Sequence, residues 1–276
     1  MNSENARSFF ITGASGFLGA SIVSALRKEF PAARMELLQH RRPLPKLADV
    51  RIVSTVTIAK GATVIHAAAA THASQKVYVE SNVVFTLRVV QAACAARASH
   101  FVYISTAALG ADCGSYGASK AEAEKIVRES GLPFTIIRPS EIYGGASNEG
   151  ISKLISLVRR FPIAPYIPRT VLAPLYADDA IQAIVRAVTL SPQNITYILA
   201  GPSVLSFREV VETIASTFGE RVLLFPLPLF LSFLFATASD QVCRLKCAKN
   251  YDNSLAQEDL SFHPRSFREG LRTLSL

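Results

Sequence analysis

The chain has 276 residues, half of them hydrophobic and only 18% charged, which excludes an intrinsically disordered protein and supplies enough apolar side chain for a large core. Lys and Arg outnumber Asp and Glu by 29 to 21, a net charge of +8. No long basic run laced with aromatics accompanies it, so nucleic acid is set aside and anionic small molecules or a membrane surface remain. The cysteines at 94, 113, 243 and 247 show no secretory or zinc-ligand spacing; free reduced thiols and no metal site are expected. The polar start, MNSENARS, holds no apolar signal core, and a cytoplasmic location is expected.

In chain order, SFFIT (8–12) reads as a buried strand and FLGASIVSALRKEF (17–30) as a helix with Leu18, Ile22, Ala25 and Leu26 on one side, ended by Pro31. Strands follow at 35–40, weakly at 51–56, and at 62–69; then come a long helix over 77–98, a strand over 100–106, a helix over 116–130 and a strand over 133–139. This alternation predicts an α/β fold: a Rossmann-type doubly wound parallel sheet, with ligands beyond the carboxyl ends of its strands. The dinucleotide-binding domain is expected over 1–145. A smaller C-terminal substrate lobe is expected over 146–276, with elements returning to the sheet.

Beyond residue 140 a helix is predicted over 150–161, then a proline-rich loop, PIAPYIPRTVLAP. A helix over 177–190 is expected to be capped by Asp178 or Asp179, and one over 206–219 opens with Ser206 and Glu209 in capping-box register. The stretch 222–238 is uncharged and apolar, interrupted by Pro226 and Pro228. Its ten or so apolar residues after Pro228 are too few for a span, leaving a buried or interface helix, or a membrane-surface contact.

The segment TGASGFLG places Gly13, Gly16 and Gly19 where the first strand hands over to the first helix. Such spacing permits a tight turn, a close backbone approach to a pyrophosphate and close helix–strand packing, with the helix N-terminus facing the phosphates. Gly13, Ser15, Gly16, Phe17, Leu18 and Gly19 are therefore candidate cofactor residues. The second strand ends in QHRRP, without the acid that would bind a ribose 2′-hydroxyl. His40, Arg41 and Arg42 are candidates there; the arginines suit a 2′-phosphate, so NADP is preferred over NAD, the plain alternative being two solvated arginines.

YGASK puts Tyr116 and Lys120 four apart at the start of a helix, on one face. A phenol is a poor base at its ordinary pKa near 10, and a neighbouring ammonium favours the phenolate. Lys120 could also hold the nicotinamide ribose. Ser105 and Thr106 end the preceding strand, where a hydroxyl can bond a substrate oxygen.

Taken together, these motifs resemble the extended short-chain dehydrogenase/reductases, in particular the NAD-dependent epimerase/dehydratase family. The resemblance covers nearly the whole chain: TGASGFLG, VIHAAA (64–69), Asn82 in SNVVFTLRVVQAA, FVYIST, YGASK, IIRPSEIYG (136–144), LYADDAIQAI and DLSFHPRSFREGL (259–271) follow in family order. It implies hydride transfer at the nicotinamide, with Tyr116 as acid/base, Lys120 as its electrostatic aid and Thr106, ahead of Ser105, orienting the substrate. It also implies cofactor contacts from Ala67, Ala68, Ala69, Asn82 and Pro139, a sugar nucleotide as substrate, and a homodimer. The expected activity is that of a 4-epimerase or 4-ketoreductase, with a place in cell-surface polysaccharide synthesis. The alternatives are a reductase of a non-sugar carbonyl, steroid- or aldehyde-like, and a non-enzymatic dinucleotide-binding sensor or assembly protein.

Three departures stand out. RIVSTV lacks the family's Gly-Asp at the adenine; Tyr116 lies only ten positions after Thr106, trimming a substrate loop; and Ala107 and Ala108 follow Thr106 where dehydratases carry an acid pair, which argues against dehydration.

Overall fold

The computed structural model describes residues 7–39, 50–145, 147, 149–166, 168–191, 194–226 and 236–274. The first strand, β1 (Ser8–Thr12), is buried over its last four residues, as its run of apolar side chains requires, and α1 (Phe17–Glu29) follows it directly. Strands β2 (Arg34–Leu38), β3 (Val50–Val53), β4 (Thr63–His66), β5 (His100–Ile104), β6 (Phe134–Pro139) and, much later, β11 (Ile195–Leu199) complete one seven-stranded sheet. Its order is β11-β6-β5-β4-β1-β2-β3, and every pairing from β3 to β6 is parallel. The expected Rossmann-type α/β fold is therefore present. The strand order reverses between β1 and β4, the position where such sheets bind ligands.

Between β4 and β5 the chain forms α2 (Gln75–Tyr78), a π-helical turn (Val79–Val84) and α3 (Phe85–Ala95). A short 3₁₀ turn (Ala111–Cys113) leads into α4 (Gly114–Glu129), which crosses to β6. Beyond β6 lie β7 (Ile142–Tyr143), α5 (Gly150–Arg160), β8 (Ile163–Tyr166), β9 (Val171–Leu172), β10 (Leu175–Tyr176) and α6 (Ala177–Thr189). After β11 come β12 (Leu205–Ser206), α7 (Phe207–Phe218), β13 (Leu223–Pro226), α8 (Ala236–Lys246), α9 (Ser254–Leu260) and α10 (Phe267–Thr273).

Two compact units interleave along the chain. The first comprises Met1–Ser105, Ser119–Arg138 and Ile181–Tyr197; the second comprises Thr106–Ala118, Pro139–Ala180 and Ile198–Leu276. The core of the first packs Phe10, Val64, Val89, Phe101, Tyr103, Ala123, Val127 and Ile136 from the sheet and its helices. That of the second gathers Tyr143, Ile151, Ile155, Leu172, Val210, Ile214, Phe267 and Leu271. Within it, Asp179 holds Arg265 at 2.9 Å, and the Tyr143 hydroxyl donates to the Phe267 carbonyl at 3.2 Å.

Several local expectations are corrected. Cys113 and Cys247 form a disulfide, whereas Cys94 and Cys243 are free; two cysteines remote in sequence give no spacing signal. Asp178 and Asp179 lie inside the first turn of α6 rather than capping it. The capping box at α7 is present, with the Glu209 N–H donating to Ser206 Oγ at 3.2 Å and the Ser206 N–H to Glu209 Oε2 at 2.7 Å. The proline-rich segment contains strand β8, paired in parallel with β13; prolines are tolerated there because this is a two-stranded ribbon. Thus 223–226 is strand, while 227–235 lies outside the described residues. Among the described residues, no helix is long and apolar enough to cross a membrane.

Candidate active site

The glycine turn sits at the carboxyl end of β1. Gly13 has φ +76°, a region open to glycine, and a Cβ on it would come within 2.5–2.7 Å of the Ala68 nitrogen and the Ala67 carbonyl. The backbone after β4 is thus laid directly on the turn. Gly16 occupies the N-cap of α1 in an extended conformation, its N–H donating to the Gly13 carbonyl at 2.9 Å. A Cβ on Gly19 would collide with the Gly13 carbonyl. No acid occupies the first turn of α1, and Ser15 is exposed beside Gly16, Phe17 and Leu18. The outcome is a helix N-terminus free of acids on a glycine-bearing turn, which can accept a diphosphate.

Behind the turn runs a buried polar chain that sequence reasoning did not single out. The Ala68 N–H donates to Thr12 Oγ1 at 3.3 Å, and Thr12 Oγ1 lies 2.6 Å from His66 Nδ1. His66 Nε2 lies 2.9 Å from Thr86 Oγ1, whose proton goes to the Asn82 carbonyl at 2.6 Å. Because Thr86 spends its proton on Asn82, the hydrogen-bond pattern assigns the imidazole proton to Nε2 and leaves Nδ1 to accept from Thr12. Burial, reinforced by the charge of Lys120, pushes the His66 imidazole down to about 3, so it stays neutral. The only sequence signal for this chain is a histidine ending an apolar strand.

Asn82 lies in the π-helical turn, fully buried. Its Oδ1 accepts from the Ala70 N–H at 2.8 Å, and its Nδ2 donates to the Ala70 carbonyl at 3.2 Å and to Ser119 Oγ at 2.9 Å. It therefore ties the segment after β4, which carries Ala67, Ala68 and Ala69, to helix α4. The π-turn widens the helix at this residue, a distortion common at functional sites.

Lys120 is 1% exposed; its Nζ donates to the Ile104 carbonyl at 2.7 Å and lies 4.2 Å from the centroid of the Tyr103 ring. Burial drives its ammonium down to about 7, opposed by the negative charge of Glu124 one turn further along α4. Glu124 takes a bidentate grip from Arg138, at 2.8 and 2.6 Å, and a bond from Arg128 at 3.1 Å. Burial would raise its carboxyl, but the Arg138 bonds and their companions hold it below the ordinary range. Ser105, also in this unit, is buried, and its N–H donates to the Ile137 carbonyl at 2.7 Å.

The second unit carries the other candidates. Thr106 is half-buried, and its Oγ1 accepts from the Ala108 N–H at 3.2 Å. The Ala107 N–H donates to the Pro139 carbonyl at 2.9 Å, which fixes the end of β6 beside the Thr106 segment. Tyr116 is 8% exposed; its N–H donates to Asp240 Oδ1 at 3.3 Å, and the Arg244 guanidinium lies 4.7 Å from its ring centroid. Tyr116 and Lys120 belong to one continuous helix, one turn apart, as their spacing requires. His40, Arg41 and Arg42 lie outside the described residues.

The chain belongs to the NAD dependent epimerase/dehydratase family, whose model matches residues 9–200. It is 33% identical over 190 residues to a ceramide reductase of Caulobacter vibrioides, an alignment covering 63% of this chain and 59% of that protein, less than two thirds of its length. It is 22% identical over 307 residues to a UDP-glucose 4-epimerase of Vibrio cholerae, covering 96% of this chain and 94% of that one. Among solved structures, MoeE5 in complex with UDP-glucose and NAD matches with a TM-score of 0.78 at 24% identity, over 96% of each chain. At that identity the likeness speaks for the fold.

A nicotinamide dinucleotide is the cofactor the family's name implies, and the residues present fit one. The α1 N-terminus, capped by Gly16 with no side-chain hydrogen bond and no acid in its first turn, leaves backbone N–H groups that can face the diphosphate.

Proposed function

We propose that the chain is an NAD(P)-dependent oxidoreductase of the epimerase/reductase kind, acting at C4 of a sugar nucleotide. The observation that carries this reading is Lys120, fully buried, one helical turn from Tyr116 on α4, in a fold whose first helix begins at a glycine turn with no acid in its first turn. The turn and the α1 N-terminus would hold the diphosphate, and Asn82 would keep the Ala67–Ala69 backbone in place against it. When bound, the dinucleotide supplies or accepts a hydride.

The residues of the chain handle the accompanying proton. Tyr116 gives its phenolic proton to the substrate oxygen during reduction and takes it back during oxidation. Lys120, as the ammonium, favours the phenolate; burial makes that ammonium easier to discharge, so its aid fades above neutral pH. Thr106 orients the substrate oxygen, and buried Ser105 supports the strand end beneath it. Ala107 and Ala108 leave no carboxylate there for elimination of water, so the reaction stops at hydride and proton transfer.

NADP is the preferred cofactor, on the Arg41–Arg42 pair, with NAD as the alternative; MoeE5 is bound to NAD. Incubation with a 4-keto sugar nucleotide and reduced nicotinamide, followed at the reduced-nicotinamide absorbance, tests the activity. Steady consumption indicates a reductase; conversion of a sugar nucleotide to its C4 epimer without net consumption indicates an epimerase.

A second reading is favoured by the 33% identity with the ceramide reductase: a carbonyl on an apolar molecule. The apolar stretch 222–238 supports the same reading, through a lipid-borne substrate or a membrane-surface contact. Flotation with anionic liposomes tests the membrane-surface contact, and a protein left wholly in the soluble fraction removes that contact. A homodimer completes the proposal.

A further inference from the structure

We infer that Arg244 is a positioning residue for Tyr116: its guanidinium, held over the ring by helix α8, stabilises the phenolate, and the Cys113–Cys247 disulfide fixes that helix to the start of α4. The inference rests on the reading of Tyr116 as the acid/base.

The Arg244 guanidinium lies 4.7 Å from the Tyr116 ring centroid. The tyrosine is 8% exposed and the Arg244 side chain 16%, so the pair is largely out of water, where a cation over a ring has most effect. Deprotonation spreads negative charge into the ring, so the attraction grows as the proton leaves. An arginine stays charged wherever the phenol titrates. Unlike Lys120, it does not lose its charge near neutral pH.

The surrounding structure keeps Arg244 there. The disulfide joins Cys113, three residues before Tyr116, to Cys247, three residues after Arg244. Asp240, one turn before Arg244, accepts the Tyr116 N–H at 3.3 Å and lies 3.7 Å from the Arg244 Nε. Gly114, at φ +80°, leaves the space that this carboxylate occupies. Among the described residues, the charged groups near Tyr116 include Arg244 and Asp240 from α8, Lys120 one turn along its own helix, and Asp112, exposed in the preceding 3₁₀ turn. Asp240 opposes the phenolate, and Arg244 offsets it.

The test is an ultraviolet titration of the phenol without nucleotide or substrate, taken as the difference between the native protein and Tyr116→Phe. Arg244→Gln is expected to raise the midpoint by about one pH unit, a tenfold fall in the ionisation constant. Arg244→Lys, which keeps the charge, is expected to restore most of the shift. Asp240→Asn, which keeps the acceptor and removes the charge, is expected to lower the midpoint. Reducing the disulfide is expected to move it in the direction of Arg244→Gln; an unchanged midpoint removes the crosslink from the account.

A folded Arg244→Gln protein titrating at the native midpoint overturns the inference. If that variant does not fold, Asp240→Asn decides: a midpoint that stays or rises overturns it equally. A shift of the expected sign in a protein that turns over no carbonyl substrate supports this inference and overturns the proposed function, so the two fail separately.

Discussion

Gly19 lies so close to the carbonyl of Gly13 that a methyl group on it would collide with that oxygen. The third glycine of the motif therefore secures the turn on which the first one sits. Gly19→Ala is expected to push α1 away from β1 at a cost of roughly 1–3 kcal/mol, the usual penalty for overpacking. Gly13→Ala adds backbone strain at φ +76° and a clash with the Ala67–Ala68 backbone. Both variants should lose dinucleotide affinity in calorimetric titration, Gly13→Ala the more; native affinity in either would contradict the seat assigned to the turn.

Buried Asn82 uses both polar atoms of its carboxamide, in two bonds to the half-buried Ala70 backbone and one to the buried Ser119. Asn82→Ala leaves the Ala70 N–H and carbonyl without their partner, a cost of about 1–3 kcal/mol in thermal or denaturant unfolding. Asn82→Asp keeps the acceptor but loses both donor bonds and buries a charge, so it is expected to be at least as harmful. A variant as stable as the native protein would show that water replaces the carboxamide.

Lys120 makes stability depend on pH. Burial takes its ammonium from 10.5 unfolded to about 7 folded, so between those values the unfolded chain binds the extra proton. Stability from this group therefore rises as pH goes from about 7 to 10.5, and its penalty is complete below 7. Denaturant unfolding across that range should show a rise on the order of a few kcal/mol, which Lys120→Met flattens. His66, folded at about 3 against 6.5 unfolded, works in the same direction lower down: stability falls as pH drops from 6.5 to 3.

The disulfide joins residues separated by 134 positions. Closing so long a loop restricts the unfolded chain by roughly 4–5 kcal/mol in the chain-entropy treatment. Reductant is expected to lower the melting temperature of the native protein and to leave a Cys113→Ser/Cys247→Ser variant unmoved. Equal melting of the native protein in both conditions would show that the bond does not form in solution.

The sheet and its glycine turn were legible in the sequence because each rests on local signals. β1 and β4 are short apolar runs, and the strand-to-helix turn needs glycine where Gly13 and Gly19 stand. Tyr116 and Lys120 were legible because helical spacing alone sets them one turn apart. The His66 relay was not, since a histidine ending an apolar strand does not announce partners at Thr12 and Thr86, which the fold brings in from β1 and α3. Arg244, Asp240 and the Cys113–Cys247 bond were hidden for the same reason: more than a hundred residues separate them from the start of α4, and only the fold brings them together. The ribbon of β8 and β13 was masked by its prolines, which read as loop.

The central claim is that Tyr116 moves the proton that accompanies hydride transfer. It is tested most directly by single-turnover reduction of a 4-keto sugar nucleotide with saturating reduced nicotinamide, comparing the native protein with Tyr116→Phe. The account predicts a fall of about 10²–10⁴-fold in the rate of the chemical step, the usual contribution of a general acid, with dinucleotide binding retained. A Tyr116→Phe protein that turns over at the native rate would contradict it.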